Sequence, residues 1–439
     1  MGPQTGIIVF LLAVIISVII GTKTKCNIGV VGLCFAFLIG TTIMEKSVAQ
    51  VIGYFPTSLL FMMMIVSYYY GYASQNGAIK GIADRLIYVS RNHLTLLPLV
   101  LYATVFIVAA LGAGPSATSL MLSPIAFGLA ASIGFEPVLA FLALAVGGLA
   151  GGMMPWTSTG VMFKGIAETY LGETAAVAVS WSYAVTLLII PTLYYFVIFM
   201  FYSRKSKNSS YEIKKPEPFN KAQKQTIAMI LIIMALVVIP VLVNTIMPNP
   251  TMKWIAKHCD IKVLCAFGIV MSCALNLGES QSVIKNQIPW STIIMVCGMS
   301  TLISLAVETG MADYLGNWLG TSIPRPLITP MVSLLAGLLS FVTTGPAVIF
   351  PLFIPMFPAI SASTGISSAA LTVALFAGTG ATGMSPFSQG GASAITGCKD
   401  EKVVQYLWPR QLLFAFILLG TYMLFSLLGV LDMIAGLFI

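Results

Sequence analysis

Apolar stretches long enough to cross a lipid bilayer follow one another along the whole chain. A spanning helix needs about 20 mainly apolar residues, and 58% of the 439 residues are apolar. Only 8% are charged, whereas soluble domains average about 25%. So few charges cannot cover a water-soluble enzyme or nucleic-acid-binding protein, and the sequence predicts an all-α polytopic membrane protein. Continuous spans are predicted near residues 5–21, 27–44, 57–75, 174–202, 226–246, 261–278, 290–308 and 409–437.

Four further apolar blocks are interrupted by glycine and proline, which disrupt the hydrogen-bond ladder of a helix. Two other stretches, 77–93 and 310–325, mix apolar with polar or charged residues. They predict amphipathic helices that lie on the membrane surface. The interrupted blocks are 94–133, broken at 112–118; 136–165, broken at 151–160; 327–364, broken at 343–347; and 367–396, broken at 380–391.

The two halves of the sequence resemble each other. A shift of 231 aligns residues 114–160 with 345–391 without a gap, and fourteen of these 47 positions are identical. A shift of 233 aligns residues 56–77 with 289–310, with six identities in 22 positions. Apolar composition inflates matches among Ala, Leu and Gly, but it does not readily align three prolines in one frame. The sequence therefore predicts an internal duplication.

The chain divides into a first membrane repeat (1–202), a cytoplasmic basic linker (203–225) and a second membrane repeat (226–439). Each repeat has five spans, one of which is the discontinuous helix, plus one further interrupted block, which is either a re-entrant hairpin or a pair of crossings. The number of crossings is odd in both cases, so the repeats have inverted topology, as in many secondary transporters. With the linker inside, sixteen Lys and Arg residues lie inside and six outside. This predicts a multi-pass protein of the cell (inner) membrane with both termini outside.

The four interruptions are where binding chemistry is expected. Backbone groups freed within the bilayer need partners, so such breaks occur only where they line a cavity or are buried in protein. Paired breaks in two halves are the best sequence indication of a transporter site. Hydroxyl groups and helix N-termini at a break suit an anion, and released carbonyl groups suit a hard cation such as Na⁺.

These arguments give two sets of candidate residues. The candidate substrate-binding residues are Ser116, Thr118, Thr157, Ser158, Thr344, Ser385, Ser388 and Gln389. The candidate cation-binding residues are Gly114, Ser116, Gly152, Thr159, Gly345, Ala347, Thr382 and Gly383.

The acidic residues stay out of the predicted membrane centre. All fourteen Asp and Glu residues fall in connections or near predicted span ends, whereas a proton-driven carrier usually has a carboxylate relay within the membrane. Glu308 is the nearest candidate for such a relay. The sequence has no phosphate-binding loop, nucleophile elbow or metal-ligand spacing. We therefore expect no enzyme activity, and no cofactor or metal beyond Na⁺ as a coupling ion.

The order of these elements resembles the ion transporter superfamily, especially the divalent anion–sodium symporters and dicarboxylate carriers, over nearly the whole chain. Family members have Ser-Asn-Thr at both hairpin tips and a Thr/Pro break in each discontinuous helix. The resemblance implies that these elements bind substrate and Na⁺, that the protein is a homodimer, and that one domain moves like an elevator. The matching segments are Pro115-Ser116-Ala117-Thr118, Thr344-Gly345-Pro346-Ala347, Pro155-Trp156-Thr157-Ser158 and Ser385-Pro386-Phe387-Ser388-Gln389.

The sequence thus predicts a secondary active transporter, a symporter that couples a small organic anion to Na⁺. The anion is expected to be a carboxylate or dicarboxylate, and no nucleic-acid partner is expected. A cation/proton antiporter on the same scaffold, with Glu308 as its essential acid, is one alternative. A non-transporting membrane receptor is the other, but it gives no reason for matched helix breaks.

Overall fold

The computed structural model describes residues 2–89, 94–202, 215–247, 250–341 and 345–438 and contains no strand within them. Six helices in these ranges are long and apolar enough to cross a membrane, and seven shorter apolar helices accompany them. The all-α polytopic fold predicted from the sequence is confirmed. The helices of the first half are α1 (Pro3–Thr24), α2 (Ile28–Thr42), α3 (Val48–Gly53), α4 (Thr57–Gln75), α5 (Ala78–Val89), α6 (Leu97–Ala113), α7 (Pro115–Ile133), α8 (Pro137–Gly152), α9 (Ser158–Leu171) and α10 (Glu173–Tyr202).

The second half has the same kinds of element in the same order, with an additional short helix before α13 and another after α21. A single π turn, Gly345–Ile349, precedes α18. The helices are α11 (Lys221–Ile246), α12 (Pro250–His258), α13 (Ile261–Ala274), α14 (Ser280–Asn286), α15 (Trp290–Glu308), α16 (Met311–Ser322), α17 (Arg325–Leu339), α18 (Phe350–Thr364), α19 (Ser368–Thr382), α20 (Gln389–Ile395), α21 (Glu401–Leu427) and α22 (Val430–Gly436).

The helix boundaries recur at the same shifts as the sequence. Helices α4 and α15 differ by 233 at both ends, and so do α5 and α16. The starts of α8 and α19 differ by 231, as do the starts of α9 and α20. The inverted orientation of the two halves in the membrane stays a prediction.

Three boundaries in the second half differ markedly from the sequence prediction. Helix α21 begins eight residues before the predicted span at 409, because Asp400 caps it by accepting a hydrogen bond from the Lys402 amide. It ends at Leu427, where Gly429, at φ +73°, separates it from α22. Helix α11 begins at Lys221, inside the predicted linker, because Asn220 and Gln223 form a capping box.

The two halves pack together through helices α2 and α15, which approach at two glycines. A Cβ atom added at Gly298 would lie 2.1 Å from the Gly29 carbonyl oxygen, and one added at Gly29 would lie 2.2 Å from the Ile294 carbonyl oxygen. No side chain fits between backbones this close, which is the small-residue packing typical of membrane helices. The equivalent pair, α13 and α4, is also in contact, with Gly268 against the ring of Tyr69.

One end of the bundle is held by hydrogen bonds between the halves. The amide of Asn27, between α1 and α2, donates to the Ser291 carbonyl oxygen at 2.8 Å. The amide of Asn76, after α4, donates to the Thr226 hydroxyl at 2.7 Å. All of these residues belong to connections or helix ends that the charge distribution predicts to be inside.

The other end is held by ion pairs between the halves. Lys46 and Glu308 approach to 2.7 Å, and Lys164 and Asp260 approach to 3.9 Å. All four residues belong to segments predicted to be outside. The contacts therefore group the connections into the two ends that the predicted topology requires, while the side of the membrane that each end faces stays a prediction.

We expect Gly298→Ala to loosen the contact between the two halves. The added methyl group would force the backbones of α2 and α15 apart, and overpacking of this kind costs about 1–3 kcal/mol. Thermal unfolding of the purified protein in detergent, followed by tryptophan fluorescence, should show a melting temperature lowered by several degrees. The control is Gly420→Ala in α21, where nothing lies within 4 Å of the new atom. Equal melting temperatures for the two variants would contradict this packing.

Candidate functional site

The first hairpin, formed by α6 and α7, turns at two glycines. Gly112 has φ +102° and Gly114 has φ +74°, values that favour glycine. A Cβ atom at Gly112 would also lie 1.9 Å from the ring of Tyr70, so the close approach excludes any side chain. Pro115 then opens α7 as its first residue, where the missing N–H removes no helical hydrogen bond.

This hairpin tip lies against the helix break of the same half, between α8 and α9. A Cβ atom at Gly152 would lie 2.6 Å from the Pro115 ring, and one at Gly114 would lie 3.7 Å from the Thr159 hydroxyl oxygen. The structure therefore brings Gly114, Gly152 and Thr159, three of the predicted cation-binding residues, to one place. Ser116, the fourth predicted cation-binding residue of the first half, is the second residue of α7 and lies beside them.

Two aromatic side chains that the sequence analysis did not assign to the site hold this tip in position. The indole N–H of Trp156 donates to the Ala110 carbonyl oxygen at 2.7 Å. The hydroxyl of Tyr70 donates to the Trp156 carbonyl oxygen at 2.9 Å. The signal that could have indicated them is a tryptophan inside a helix break and a run of tyrosines at 68–70 in the neighbouring span.

The break between α8 and α9 is closed by the hydroxyl of Thr157, the N-cap residue of α9. This fully buried hydroxyl accepts from the Gly160 amide at 3.1 Å. It donates to the Gly152 carbonyl oxygen at 2.6 Å and lies 2.9 Å from that of Met154. A single side chain thus satisfies backbone groups on both sides of the break.

The break between α19 and α20 is built in the same way, 231 residues later. The hydroxyl of Ser388 accepts from the Gly391 amide at 3.1 Å. It donates to the carbonyl oxygens of Gly383 and Ser385, the second at 2.9 Å. The duplicated sequence therefore preserves an N-cap hydroxyl and its partners, although Thr has been exchanged for Ser.

The two discontinuous helices meet at positions that are equivalent under the same shift. A Cβ atom at Gly380, in α19, would lie 3.3 Å from Leu149, in α8, and these two positions differ by 231. The pseudo-twofold axis of the predicted inverted repeat would pass close to such a contact. The hydroxyl of Tyr183 lies at the same point and donates to the Phe376 carbonyl oxygen at 3.2 Å.

Each hairpin also packs against the other half. The ring of Phe350, in the second hairpin, lies 4.8 Å from that of Phe163, in α9. The hydroxyl of Ser123, in the first hairpin, donates to the Ala394 carbonyl oxygen at 2.7 Å, in α20. Both hairpins and both discontinuous helices therefore belong to one packed core.

The structure divides the candidate hydroxyl groups into two classes, and the first is committed to local backbone. Thr157 and Ser388 are N-caps. Thr118 is fully buried and donates to the Gly114 carbonyl oxygen at 2.7 Å, and Thr382 lies 3.3 Å from that of Thr379. These four residues shape the tips and breaks, and direct contact with a ligand would require them to exchange a hydrogen bond.

The second class has no hydrogen bond within the part of the chain that the structure describes. Ser116, Ser158 and Thr159 are half-buried, and all three lie where the first tip meets the first break. Ser385, at the second break, is completely buried and its hydroxyl has no partner. An unmatched buried polar group costs about 1–3 kcal/mol. Among the candidate hydroxyls, that of Ser385 would therefore gain most from a hydrogen bond to a ligand.

The remaining candidates belong to the second half. Gln389 is exposed, Gly383 accepts from Ser388, and a Cβ atom at Gly345 would lie 3.3 Å from Cβ of Thr379, near the end of α19. Thr344 and the side chain of Ala347 lie outside the described residues. The second tip thus also lies against its own discontinuous helix.

A cation at the first tip would depend on backbone oxygens and hydroxyls. Within the described ranges, no group of three His, Cys, Asp or Glu residues could hold a metal ion. The Gly114 carbonyl oxygen already accepts from both the amide and the hydroxyl of Thr118, at 3.1 and 2.7 Å. A cation bound to this oxygen would have to replace one of them, whereas the hydroxyls of Ser116 and Thr159 are free.

We expect Thr157→Ala to destabilise the first break, because loss of an N-cap hydroxyl costs about 0.5–2 kcal/mol. Thr157→Ser keeps the hydroxyl and should retain the melting temperature in detergent. Ser158→Ala is the matched control, since the adjacent hydroxyl makes no hydrogen bond in the described structure. If Ser158→Ala lowered the melting temperature as much as Thr157→Ala, the assignment of the cap would be wrong.

Comparison with known proteins adds a family match over about a third of the chain. Residues 3–152 match the family described as the dicarboxylate carrier protein MatC N-terminus. No curated protein matches the sequence.

Solved structures of transporters share the fold over most of the chain. The YdaH transporter of Alcanivorax borkumensis is 15% identical, with a TM-score of 0.58, and the match covers 98% of each chain. MtrF of Neisseria gonorrhoeae, described within a class of antimetabolite efflux pumps, is 13% identical, with a TM-score of 0.54, and the match covers 88% of this chain and 84% of MtrF. The proteins named are carriers, transporters or pumps, and none is an enzyme. The predicted resemblance to dicarboxylate carriers is thus confirmed over residues 3–152, and the whole chain has the fold of multi-pass membrane transporters.

Proposed function

We propose that this protein is a secondary active transporter, a symporter that moves a small carboxylate or dicarboxylate together with Na⁺. The observation that carries the proposal is the pairing of each hairpin tip with a helix break of its own half, in one packed core. Broken helices at matching places in two halves are the arrangement expected of a transporter binding site. A receptor without transport gives no reason for this pairing.

Two helix N-termini that meet at the first tip support an anionic substrate. Helix α7 begins at Pro115 and α9 at Ser158, and the Gly114–Thr159 approach brings these ends together. The first N–H groups of a helix have no partner within it and favour negative charge by about 0.3–2 kcal/mol. The hydroxyls of Ser116, Ser158 and Thr159 add neutral donors. Residues 110–118 and 152–159 contain no ionisable side chain, so helix ends and hydroxyls would carry the recognition.

Coupling to Na⁺ follows from the same lack of charged side chains. Burying an unpaired carboxylate is very costly, and helix N-termini offset only part of that cost. A cation bound beside the substrate reduces the net charge that enters the core. Each net charge that crosses 100 mV gains or costs about 2.3 kcal/mol, so coupling also provides a driving force.

Elevator-type movement within a homodimer is proposed from the resemblance to elevator-type carriers. Most buried apolar side chains around the tips and breaks belong to one large cluster, which also includes residues of α4, α13 and α15. A second cluster joins α1, α2 and α15 and includes Val348 beside the second tip. We propose that the body around the tips and breaks carries substrate relative to α1 and α2.

The alternative of a cation/proton antiporter receives no support from Glu308. Its carboxylate accepts hydrogen bonds from Lys46, at 2.7 Å, and from the hydroxyl of Tyr54. The side chain is 43% exposed, at the last residue of α15. This carboxylate ties a connection to a helix end and lies outside the core that contains the breaks.

The proposal is tested by uptake of labelled succinate, malate, malonate and citrate into proteoliposomes. An inward Na⁺ gradient should accelerate uptake of at least one of them relative to equal Na⁺ on both sides. Glu308→Gln should retain this uptake, whereas a cation/proton antiporter would take up no carboxylate and would lose its cation exchange in this variant. Absence of uptake for every carboxylate would overturn the substrate class, and uptake that is independent of Na⁺ would overturn the coupling alone.

We expect Ser385→Ala and Ser116→Ala to weaken transport without unfolding the protein. A hydrogen bond to a charged group is worth about 1.5–3 kcal/mol, so KM for the anion or for Na⁺ should rise at least tenfold. Thr321→Ala is the control, because that hydroxyl bonds only to its own surface helix. Unchanged KM values in both site variants would move the binding site away from the breaks.

A further inference from the structure

A pocket of about 490 Å³ with both polar and apolar residues in its lining lies away from the tips and breaks, where α17 begins and α21 ends. Its size is typical of small-molecule sites. Its lining includes Arg325, the first residue of α17, and Gly365, which directly follows α18; these are the two ends of the second hairpin. Ser426 of α21 and Asp432 of α22 complete the polar lining. The cavity thus joins both feet of the hairpin to the last two helices of the described chain.

Two opposite charges face this cavity without pairing. Neither Arg325 nor Asp432 has an ion pair within 4.0 Å or a hydrogen bond to another residue of the described structure. The guanidinium group lies beside the backbone at Gly365, where an added Cβ atom would be 3.8 Å from Nη2. Burial raises the pKa of the Asp432 carboxyl, and the nearby Arg325 partly offsets this rise. Arg325 is exposed and Asp432 is partly buried, and both line the same pocket without an ion pair between them.

A buried hydroxyl in the same lining has no hydrogen-bond partner in the described structure. Ser426 is 3% exposed, and its hydroxyl has no hydrogen-bond partner. Thr329, also 3% exposed, lines the same cavity with no hydrogen bond from its side chain in the described structure. Unmatched groups of this kind are costly in an empty site, so the lining has donors and acceptors for an occupant.

We propose that this cavity is a second binding site, separate from the transport site, and that it takes a small zwitterion of the α-amino acid class. The ligand carboxylate would pair with Arg325, its ammonium group with Asp432, and the hydroxyl of Ser426 would complete the contact. An anion alone would face Asp432, and a cation alone would face Arg325. A zwitterion satisfies both charges and adds no net charge to the cavity.

The test is isothermal titration calorimetry on the full-length protein in detergent, with alanine, propionate and propylammonium as probes of similar size. Alanine should bind at least tenfold more tightly than either singly charged compound. Asp432→Asn should weaken alanine at least tenfold and reduce its advantage over propionate. Arg325→Gln should weaken alanine equally and reduce its advantage over propylammonium.

The controls are Asp313→Asn and Lys402→Gln, which change exposed charges elsewhere and should leave alanine binding intact. The comparison of the three probes uses the unaltered protein, so it decides the question even if a variant fails to fold. No heat of binding for alanine, or equal affinity for alanine and propionate, would overturn the proposal. Propionate could also bind at the proposed transport site, but that binding would survive Asp432→Asn and Arg325→Gln, so the two variants distinguish this pocket from the transport site.

Discussion

The architecture depends on satisfying backbone polar groups where helices are broken inside an apolar body. Away from water, each unmatched N–H or C=O costs several kcal/mol. The chain solves this with one hydroxyl per discontinuous helix, Thr157 or Ser388, which accepts from the helix that follows and donates to the helix that precedes. Without these caps, the N-termini and hydroxyls that we propose as ligands could not stay together.

The two halves share this device but differ in what surrounds it. In the first half the break is fastened to the hairpin by Trp156 and Tyr70. In the second, Phe387 stands in place of Trp156 and is 64% exposed, with its ring 5.7 Å from that of Trp408. The second break also has the unpartnered hydroxyl of Ser385, where the first has Met154. The two breaks of the duplicated scaffold thus differ chemically, although their caps are equivalent.

Much of the fold followed from pattern alone. The lengths of the apolar runs located the spans because the bilayer sets a minimum helix length. Clusters of Gly and Pro located the breaks because they weaken or interrupt the hydrogen-bond ladder of a helix. The roles of individual hydroxyls did not follow. Thr157 and Ser158 are neighbours of similar chemistry, yet one is a buried cap and the other is free. This difference depends on the direction of the backbone at the break, which sequence spacing does not determine.

The sequence by itself determined the membrane class, the duplicated order of elements and the positions of the breaks, because all three depend on local composition and periodicity. Tertiary structure decided which elements meet. It placed the first tip on its own break, brought Leu149 against Gly380, its equivalent under the shift of 231, and paired Glu308 with Lys46 at a helix end. These contacts join residues far apart in the chain, so they arise from packing of whole helices and leave no local signature.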